Sequence, residues 1–516
     1  MYTVKAKKVV IIGSGLGALS TALRLTTAGC RDITILEKYH QAGGRLNELR
    51  SEGFTFDMGP SFFSMSYEFD ELFRSCNMPN PLQFRKLDPL YTVHFAGSDK
   101  RYSVTTDLQQ LAREFAEIEP DFLSKVEKYL RNAGAIFHDT EEIVIKSNFD
   151  SRLEYLLSLA RVPWKHAPRM FRTMWADLDK SFDAHEVKVI LSLVAFFLGA
   201  TPFDTPAVYK LLSYTELKHD GYWNIEGGMY RITEKIQEEL LRRGVRFVFN
   251  TEITSVRTEG TRAVFADTEG TEYPADIYIV NSDAAAFRGQ VLKRKAFSEE
   301  KLDNMEWTLS PFTIYLGVRG KIPQLAHHNY FLGDNFRDYA DKIFKMSVNP
   351  EKPYYYVNVS SRSNPGTAPE GCENLFILCP VPDLRYKPDW SDAEQLADTI
   401  ISDLSARVNF DIKANIITRT VLTPADWQQR FNLYRGSGLG LAHGLNQVGG
   451  FRPRNKDEEF SNVYYVGAST TPGTGLPMVV IGSRLVSERI AKDFGTLPPS
   501  EQKEASLVSS LNSNTE

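Results

Sequence analysis

Cysteine is scarce in this sequence. Its four residues, Cys30, Cys76, Cys372 and Cys379, form no Cys-x-x-Cys pair, which excludes zinc-ribbon and thioredoxin-like patterns and fits a reducing compartment. Histidine is sparse as well, with nine residues and no cluster at metal-ligand spacing, so no metal is expected. The adjacent His327 and His328 lack a third ligand nearby and read as structural or surface residues. An excess of either charge is also missing. Sixty Lys and Arg stand against 65 Asp and Glu, a net charge of -5, so nothing global recruits nucleic acid. Long apolar runs are absent. The longest, about Ile190 to Ala200, falls well short of the ~20 residues a spanning helix needs, which leaves peripheral contact as the expected relation to a membrane. The opening MYTVKAKKVVIIG passes directly into a strand-like run, with no room for a charged segment and a cleavable apolar one. A cytoplasmic protein is expected.

What is present suits a large folded enzyme or binding protein. A chain of 516 residues, 42% hydrophobic and 24% charged, can form two or three interleaved domains and enclose a large ligand. Val9 to Ile12 is a continuous apolar run ending in glycines, Leu16 to Ala28 carries helical spacing until Gly29, and Ile33 to Leu36 is a second β-rich run. Strand, tight turn, helix and strand in that order make a βαβ unit, the building block of a parallel sheet. Residues 80 to 220 read as mainly helical and aromatic. Short β runs return at Val245 to Phe249, Arg262 to Phe265, Ile277 to Val280, Ile314 to Gly317 and Phe376 to Pro380, and NVYYVGA precedes a last loop and helix. After about 493 the chain is polar and expected to be disordered.

The chemistry begins where the first strand meets the first helix. Gly13, Gly15 and Ala18 form G-x-G-x-x-A, and Glu37 ends the next strand. Gly13 permits the tight turn, Gly15 lets the backbone approach a pyrophosphate, and Ala18 allows close packing of helix on strand. The helix N-terminus offers N–H groups and a positive dipole end to phosphates, while Glu37 can accept hydrogen bonds from ribose hydroxyls and so disfavours a 2′-phosphate. Past Glu37 the chain adds what an NAD enzyme does not need: Gly43-Gly44-Arg45, then Gly53-Phe-Thr-Phe-Asp57-Met-Gly59-Pro60-Ser61. Paired glycines with an arginine suit the FAD pyrophosphate or the isoalloxazine edge. At the far end, VYYVGASTTPGTGLPMVVIG places Gly467 after a strand and starts a helix near Met478, whose N-terminus can stabilise negative charge on a flavin pyrimidine.

GSGLGA with LEK and AGGR, GFTFDMGPS, GYWNIEGGMYRI at 221–232, GTAPEGCENLFILCPVPDL at 366–384 and GGFRPRNKDEEFSNVYYVGASTTPGTGLPMVVIG at 449–482 together resemble the bacterial and fungal phytoene desaturase family over nearly the whole chain. The resemblance implies an α/β fold with a Rossmann-like, two-dinucleotide-binding FAD domain from residues 1–80, 221–300 and 430–492, an interleaved substrate domain at 301–429, a helical membrane-facing entry region at 81–220 and a disordered tail at 493–516. It implies noncovalent FAD, a peripheral membrane enzyme, an apolar carotenoid substrate with phytoene first, and an electron acceptor such as quinone or oxygen. Carried over residue by residue, FAD contacts fall on Gly13, Gly15, Gly17, Ala18, Glu37, Lys38, Gly44, Arg45, Gly59, Pro60, Ser61, Ile253, Gly467 and Met478. Family position makes Asp183, His185 and Glu186 the acid/base candidates, with Lys188 as electrostatic partner. The chain departs from many relatives in carrying Glu226, in place of Lys or Arg, before Gly227-Gly228. Other readings stay open: a desaturase or isomerase acting on a later or modified carotenoid or on C30 diapophytoene, an amine or porphyrinogen oxidase, or a non-catalytic lipid-binding chaperone of the same fold. Intact phosphate glycines and Glu37 argue against the last.

A segment from 151 to 175 stands apart by composition. Leu156, Leu157, Leu159, Trp164, Met170, Phe171 and Trp175 alternate with Arg152, Arg161, Lys165, Arg169 and Arg172, a mixture that suits an anionic membrane surface and equally an amphipathic helix packed on the core with its charges solvated.

Overall fold

The computed structural model describes residue 4, residues 7–344 and residues 352–495. Its first sheet has five strands in the order Val463–Tyr465, Ile277–Val280, Lys8–Ile12, Asp32–Leu36 and Arg246–Val248, each parallel to its neighbour. Helices cover one face and a hairpin the other, which is why the four strands inside the edge strand Arg246–Val248 are almost wholly buried. Successive side chains point to opposite faces. Val9 and Ile11 therefore pack beneath the helices Leu16–Thr27, Arg231–Arg242 and Leu476–Phe494, against residues such as Leu19, Ile236 and Val486. Val10 and Ile12 face Phe265 of the hairpin Ile253–Glu259/Arg262–Asp267 and Phe287 of the helix Ala284–Gln290. The chain leaves this sheet and returns to it several times, so distant segments meet at its carboxyl edge.

A second sheet has seven strands in the order Ile416–Leu422, Ser310–Arg319, Cys372–Val381, Tyr355–Asn358, His328–Leu332, Tyr91–Phe95 and Arg101–Val104. All pairings are antiparallel except that of His328–Leu332 with Tyr91–Phe95. One face, with Ile314, Leu316, Leu375 and Ile377, buries the helix Ala393–Val408. The other carries Tyr315, Tyr356 and Phe376.

The stretch read as helical from residue 80 begins with strands. Phe84–Lys86, Tyr91–Phe95 and Arg101–Val104 precede the first helix of that stretch, Leu108–Glu114, and the last two extend the second sheet, because YTVHF is β-branched and aromatic and fits a pleated, half-buried surface. Beyond them lie the long helix Phe122–Thr140, a π-helical turn at Glu141–Ile145, the short helix Arg152–Leu159, the helix His185–Ser192 and a second π-helical turn at Thr215–His219. The helix Leu476–Phe494 runs past the point where the polar tail was expected to begin, and residues 496–516 lie outside those described. Among the described residues no helix is long and apolar enough to cross a membrane.

Candidate functional site

The phosphate turn is built by close approach. Gly13 has φ +89°, and a Cβ there would lie 2.9 Å from the Asn281 carbonyl oxygen. A Cβ on Gly15 would meet Asn281 Oδ1 at 2.6 Å, and one on Gly44 would sit 3.3 Å from the Gly15 Cα. The Gly43-Gly44 loop is thus laid directly on the turn, with the Gly43 N–H donating to the Ser14 carbonyl at 3.0 Å. Gly15 caps the helix Leu16–Thr27 without a side-chain hydrogen bond, leaving the N-terminal end to a ligand. Buried Glu37 accepts from the Ser14 N–H at 2.8 Å, from its hydroxyl at 2.6 Å and from the Tyr39 N–H at 3.0 Å, which fixes the carboxylate at the sheet edge beside the turn. Lys38 donates to Asn432 Oδ1 at 2.6 Å.

One cavity of about 1520 Å³ starts here, larger than the ~300–1,000 Å³ of an ordinary ligand site. Every expected cofactor residue borders it except Ala18. Ala18 is fully buried and gives its N–H to Asn281 Oδ1 at 3.1 Å, consistent with a packing role. Arg45 reaches across to the Gly438 carbonyl at 2.6 Å, and burial lowers its pKa. Ser61 accepts from the Tyr356 hydroxyl at 2.9 Å. Gly467, at φ +130°, and Met478, in the first turn of Leu476–Phe494, face the same space. A crowded glycine turn, an acid at the second strand and an open helix N-terminus fit a dinucleotide.

Two residues that the sequence reading did not single out shape this end. Asn281, just past the strand Ile277–Val280, holds the Ala18 N–H with Oδ1 and donates from Nδ2 to the Val466 carbonyl at 2.8 Å, so one side chain ties two strand ends to the first turn of the helix Leu16–Thr27. Arg452 is 2% exposed and donates to the carbonyls of Leu441, Ala442, Gln447, Ala468 and Thr470 at 2.7–3.2 Å. Burial without a carboxylate partner pulls its pKa down to about 10. Because N–H and C=O oppose one another across a planar peptide, drawing the Ala468 and Thr470 carbonyls toward Arg452 turns the Ser469 and Thr471 N–H groups the opposite way, and both residues border the cavity. His443 stands beside it, accepting from the Thr474 N–H at 3.2 Å; burial, with Arg452 nearby, lowers its pKa to about 3, so the ring is neutral.

Away from the dinucleotide end the lining turns apolar and aromatic. It includes Phe62, Phe197, Tyr222, Tyr330, Phe336 and Tyr339, together with Ile136, Val144, Leu159, Leu156, Trp164 and Phe171. The last three are exposed at 50, 86 and 89% respectively. With Leu153 and Leu157 they concentrate exposed large apolar side chains in the segment that the sequence marked at 151–175.

The four acid/base candidates lie elsewhere. Asp183 pairs with Lys125 at 2.6 Å and Lys188 with Asp179 at 2.8 Å, while His185 meets the edge of Trp175; neither these nor Glu186 borders the cavity. The helix His185–Ser192 directs Val187, Ile190 and Leu191 into the core, and its polar positions fall on the other side. His328 is buried, sharing a 2.5 Å hydrogen bond with the Tyr356 hydroxyl and stacking on Phe62, and His327 pairs with Ser363 at 2.9 Å.

Residues 19–491 match the model of the flavin containing amine oxidoreductases. A zeta-carotene-forming phytoene desaturase of Myxococcus xanthus is 34% identical, with 94% of each chain covered. A phytoene desaturase of Fusarium fujikuroi is 31% identical over 95% of this chain and 90% of that one, and a 4,4'-diapolycopene oxygenase of Methylomonas sp is 29% identical over 95% and 99%. Among solved structures, cyclohexylamine oxidase from Brevibacterium oxydans superposes with a TM-score of 0.60 at 14% identity, covering 94% of this chain and 99% of that one, which shows the fold. With a dinucleotide turn, a matching fold and these relatives along its length, the chain belongs to the flavin containing amine oxidoreductases, and within them to the phytoene desaturase family.

Proposed function

We propose that the protein is an FAD-dependent carotenoid desaturase that introduces conjugated double bonds into a long apolar precursor, phytoene first, drawn from a membrane surface to which it binds peripherally. The observation that carries this is the single cavity joining the dinucleotide turn to an apolar mouth at Leu156, Trp164 and Phe171. A saturated bond in such a precursor offers no hydrogen-bonding handle, so positioning falls to shape. Bound FAD, held without a covalent link, supplies the hydride acceptor. Gly13, Gly15, Gly43 and Gly44 admit its pyrophosphate and Glu37 its ribose. The loop braced by Arg452 offers N–H groups and a buried positive charge to its pyrimidine. Phe62, Phe197, Tyr222 and Tyr330 align the chain and exclude water.

Expression in hosts that accumulate either phytoene or the C30 analogue, with chromatography of the pigments, tests the reading. Coloured polyenes from phytoene are the expected result. Unchanged phytoene alongside a yellow, FAD-loaded protein would overturn the substrate and keep the cofactor. The ribose contact has its own test. Glu37→Gln keeps the shape and gives up the charge, which should weaken FAD binding by about 1–2 kcal/mol, roughly tenfold, when apoprotein is titrated with FAD. An unchanged Kd would place the adenosine elsewhere.

A further inference from the structure

Glu216 lies in the π-helical turn Thr215–His219, a local geometry found disproportionately at functional sites. It is 3% exposed, and its Oε2 has no hydrogen-bond partner. The titratable groups facing it are four phenols from different elements: Tyr91 of the strand Tyr91–Phe95, Tyr129 of the helix Phe122–Thr140, Tyr222 just after the π turn, and Tyr330 of the strand His328–Leu332. The Tyr91 and Tyr222 hydroxyls sit beside the carboxyl. The cation in this region, Lys210, lies over the Tyr129 ring and is committed to Asp177 at 2.8 Å. A buried carboxyl without a cation is costly, and such groups concentrate where protons are moved.

Tyr222 connects this carboxyl to the cavity. It borders the apolar section, and its ring packs on Phe62 with centroids 4.9 Å apart, directly after the Gly59-Pro60-Ser61 segment expected on the flavin. The cavity's own carboxylates are placed for other work. Glu37 and Glu252 belong to the dinucleotide end, and Asp283 caps the helix Ala284–Gln290 through Oδ1 while Oδ2 accepts from Ser469.

Resting on the desaturation proposed above, we propose that Glu216, acting through the Tyr222 hydroxyl, accepts the proton that leaves the substrate. Bound flavin would supply the acceptor for the hydride, with its electron pair, that leaves one C–H bond. The adjacent C–H bond then yields its proton to the Tyr222 oxygen as the tyrosine's own proton passes to the Glu216 carboxylate, and the electron pair left behind becomes the new C=C bond. A quinone or dioxygen would be the terminal acceptor, its two-electron reduction consuming the hydride's two electrons and two protons, one from the hydride's hydrogen and one from Glu216, which regenerates the carboxylate.

Burial raises the Glu216 pKa to about 7, and the carboxylate is the working form. The rate should therefore rise with pH through about 7 and fall below it. In holoenzyme assayed on phytoene in liposomes, Glu216→Gln should lower kcat by roughly a hundredfold or more, keep FAD content, and lose the acidic limb from its residual activity. Tyr222→Phe keeps the ring against Phe62 and should also lower kcat at unchanged FAD content. If Glu216→Gln fails to fold, this second variant decides. Infrared titration gives a readout independent of turnover: the protonated-carboxyl absorbance lost as pH rises through about 7, to which Asp57, likewise raised to about 7 by burial, also contributes, should be smaller in Glu216→Gln by one carboxyl. Parent-like kcat in either folded variant, or an unchanged absorbance loss in Glu216→Gln, overturns the proposal. A parent that binds FAD and leaves phytoene untouched refutes the substrate instead, and the infrared titration still judges Glu216.

Discussion

Gly15→Val is expected to leave a folded protein that no longer holds flavin. The first added carbon would lie 2.6 Å from Asn281 Oδ1, and the two branches beyond it would point into the space where the pyrophosphate must sit. Asn281 cannot give way cheaply, since the same side chain holds the Ala18 N–H and the Val466 carbonyl. Overpacking of this kind costs about 1–3 kcal/mol, and lost phosphate contacts add to it, so affinity should fall by at least roughly a hundredfold. The purified variant should be colourless, with far-ultraviolet circular dichroism like the parent's. Gly244 is the control. It too has a positive φ, +86°, but nothing lies within 4 Å of a Cβ there, so Gly244→Ala strains a turn without touching the site and should stay yellow. Flavin retained at one per chain in Gly15→Val would mean that the turn serves something other than a pyrophosphate.

The parts of this site that were legible in the sequence share a physical property: they are local. A strand, a glycine turn, a helix and an acid occupy residues 8 to 37, and each states its conformation through its own residue types. Asn281 was not legible because its meaning lies in Ala18, 263 positions away. Arg452 reads as one more arginine in a basic run until five carbonyls are found around it. The acid/base candidates at 183–188 illustrate the converse limit. Family position pointed to the helix His185–Ser192, and whether its polar side chains meet a cavity depends on the packing of Val187 and Ile190 against other elements. The strands at 84–104 were hidden for a related reason. They are short and partly exposed, and two of them find their partners far along the chain, Tyr91–Phe95 beside His328–Leu332 and Phe84–Lys86 beside Trp223–Ile225.

At the other end of the cavity, removing two aromatic tips should detach the protein from lipid more completely than removing its positive charges. The basic residues of the segment are partly neutralised already: Lys165 lies 3.0 Å from Asp139, and Arg172 3.3 Å from Asp177. A Lys or Arg near an anionic surface contributes on the order of 1 kcal/mol, and salt screens it. Trp164 and Phe171, by contrast, are 86 and 89% exposed at the cavity mouth, where each can transfer its ring from water to an apolar phase for about 1.5–3 kcal/mol. Trp164→Ser with Phe171→Ser should therefore weaken liposome binding by at least roughly a hundredfold, on neutral as well as anionic vesicles and at low as well as high salt, with FAD content unchanged. Replacing Arg161, Lys165, Arg169 and Arg172 by Gln should weaken binding only on anionic vesicles at low salt. Cosedimentation across the four conditions separates the two contributions. If the Trp164/Phe171 variant sediments with vesicles as the parent does, the exposed mouth is not the membrane face, and the hydrocarbon must enter the cavity from elsewhere.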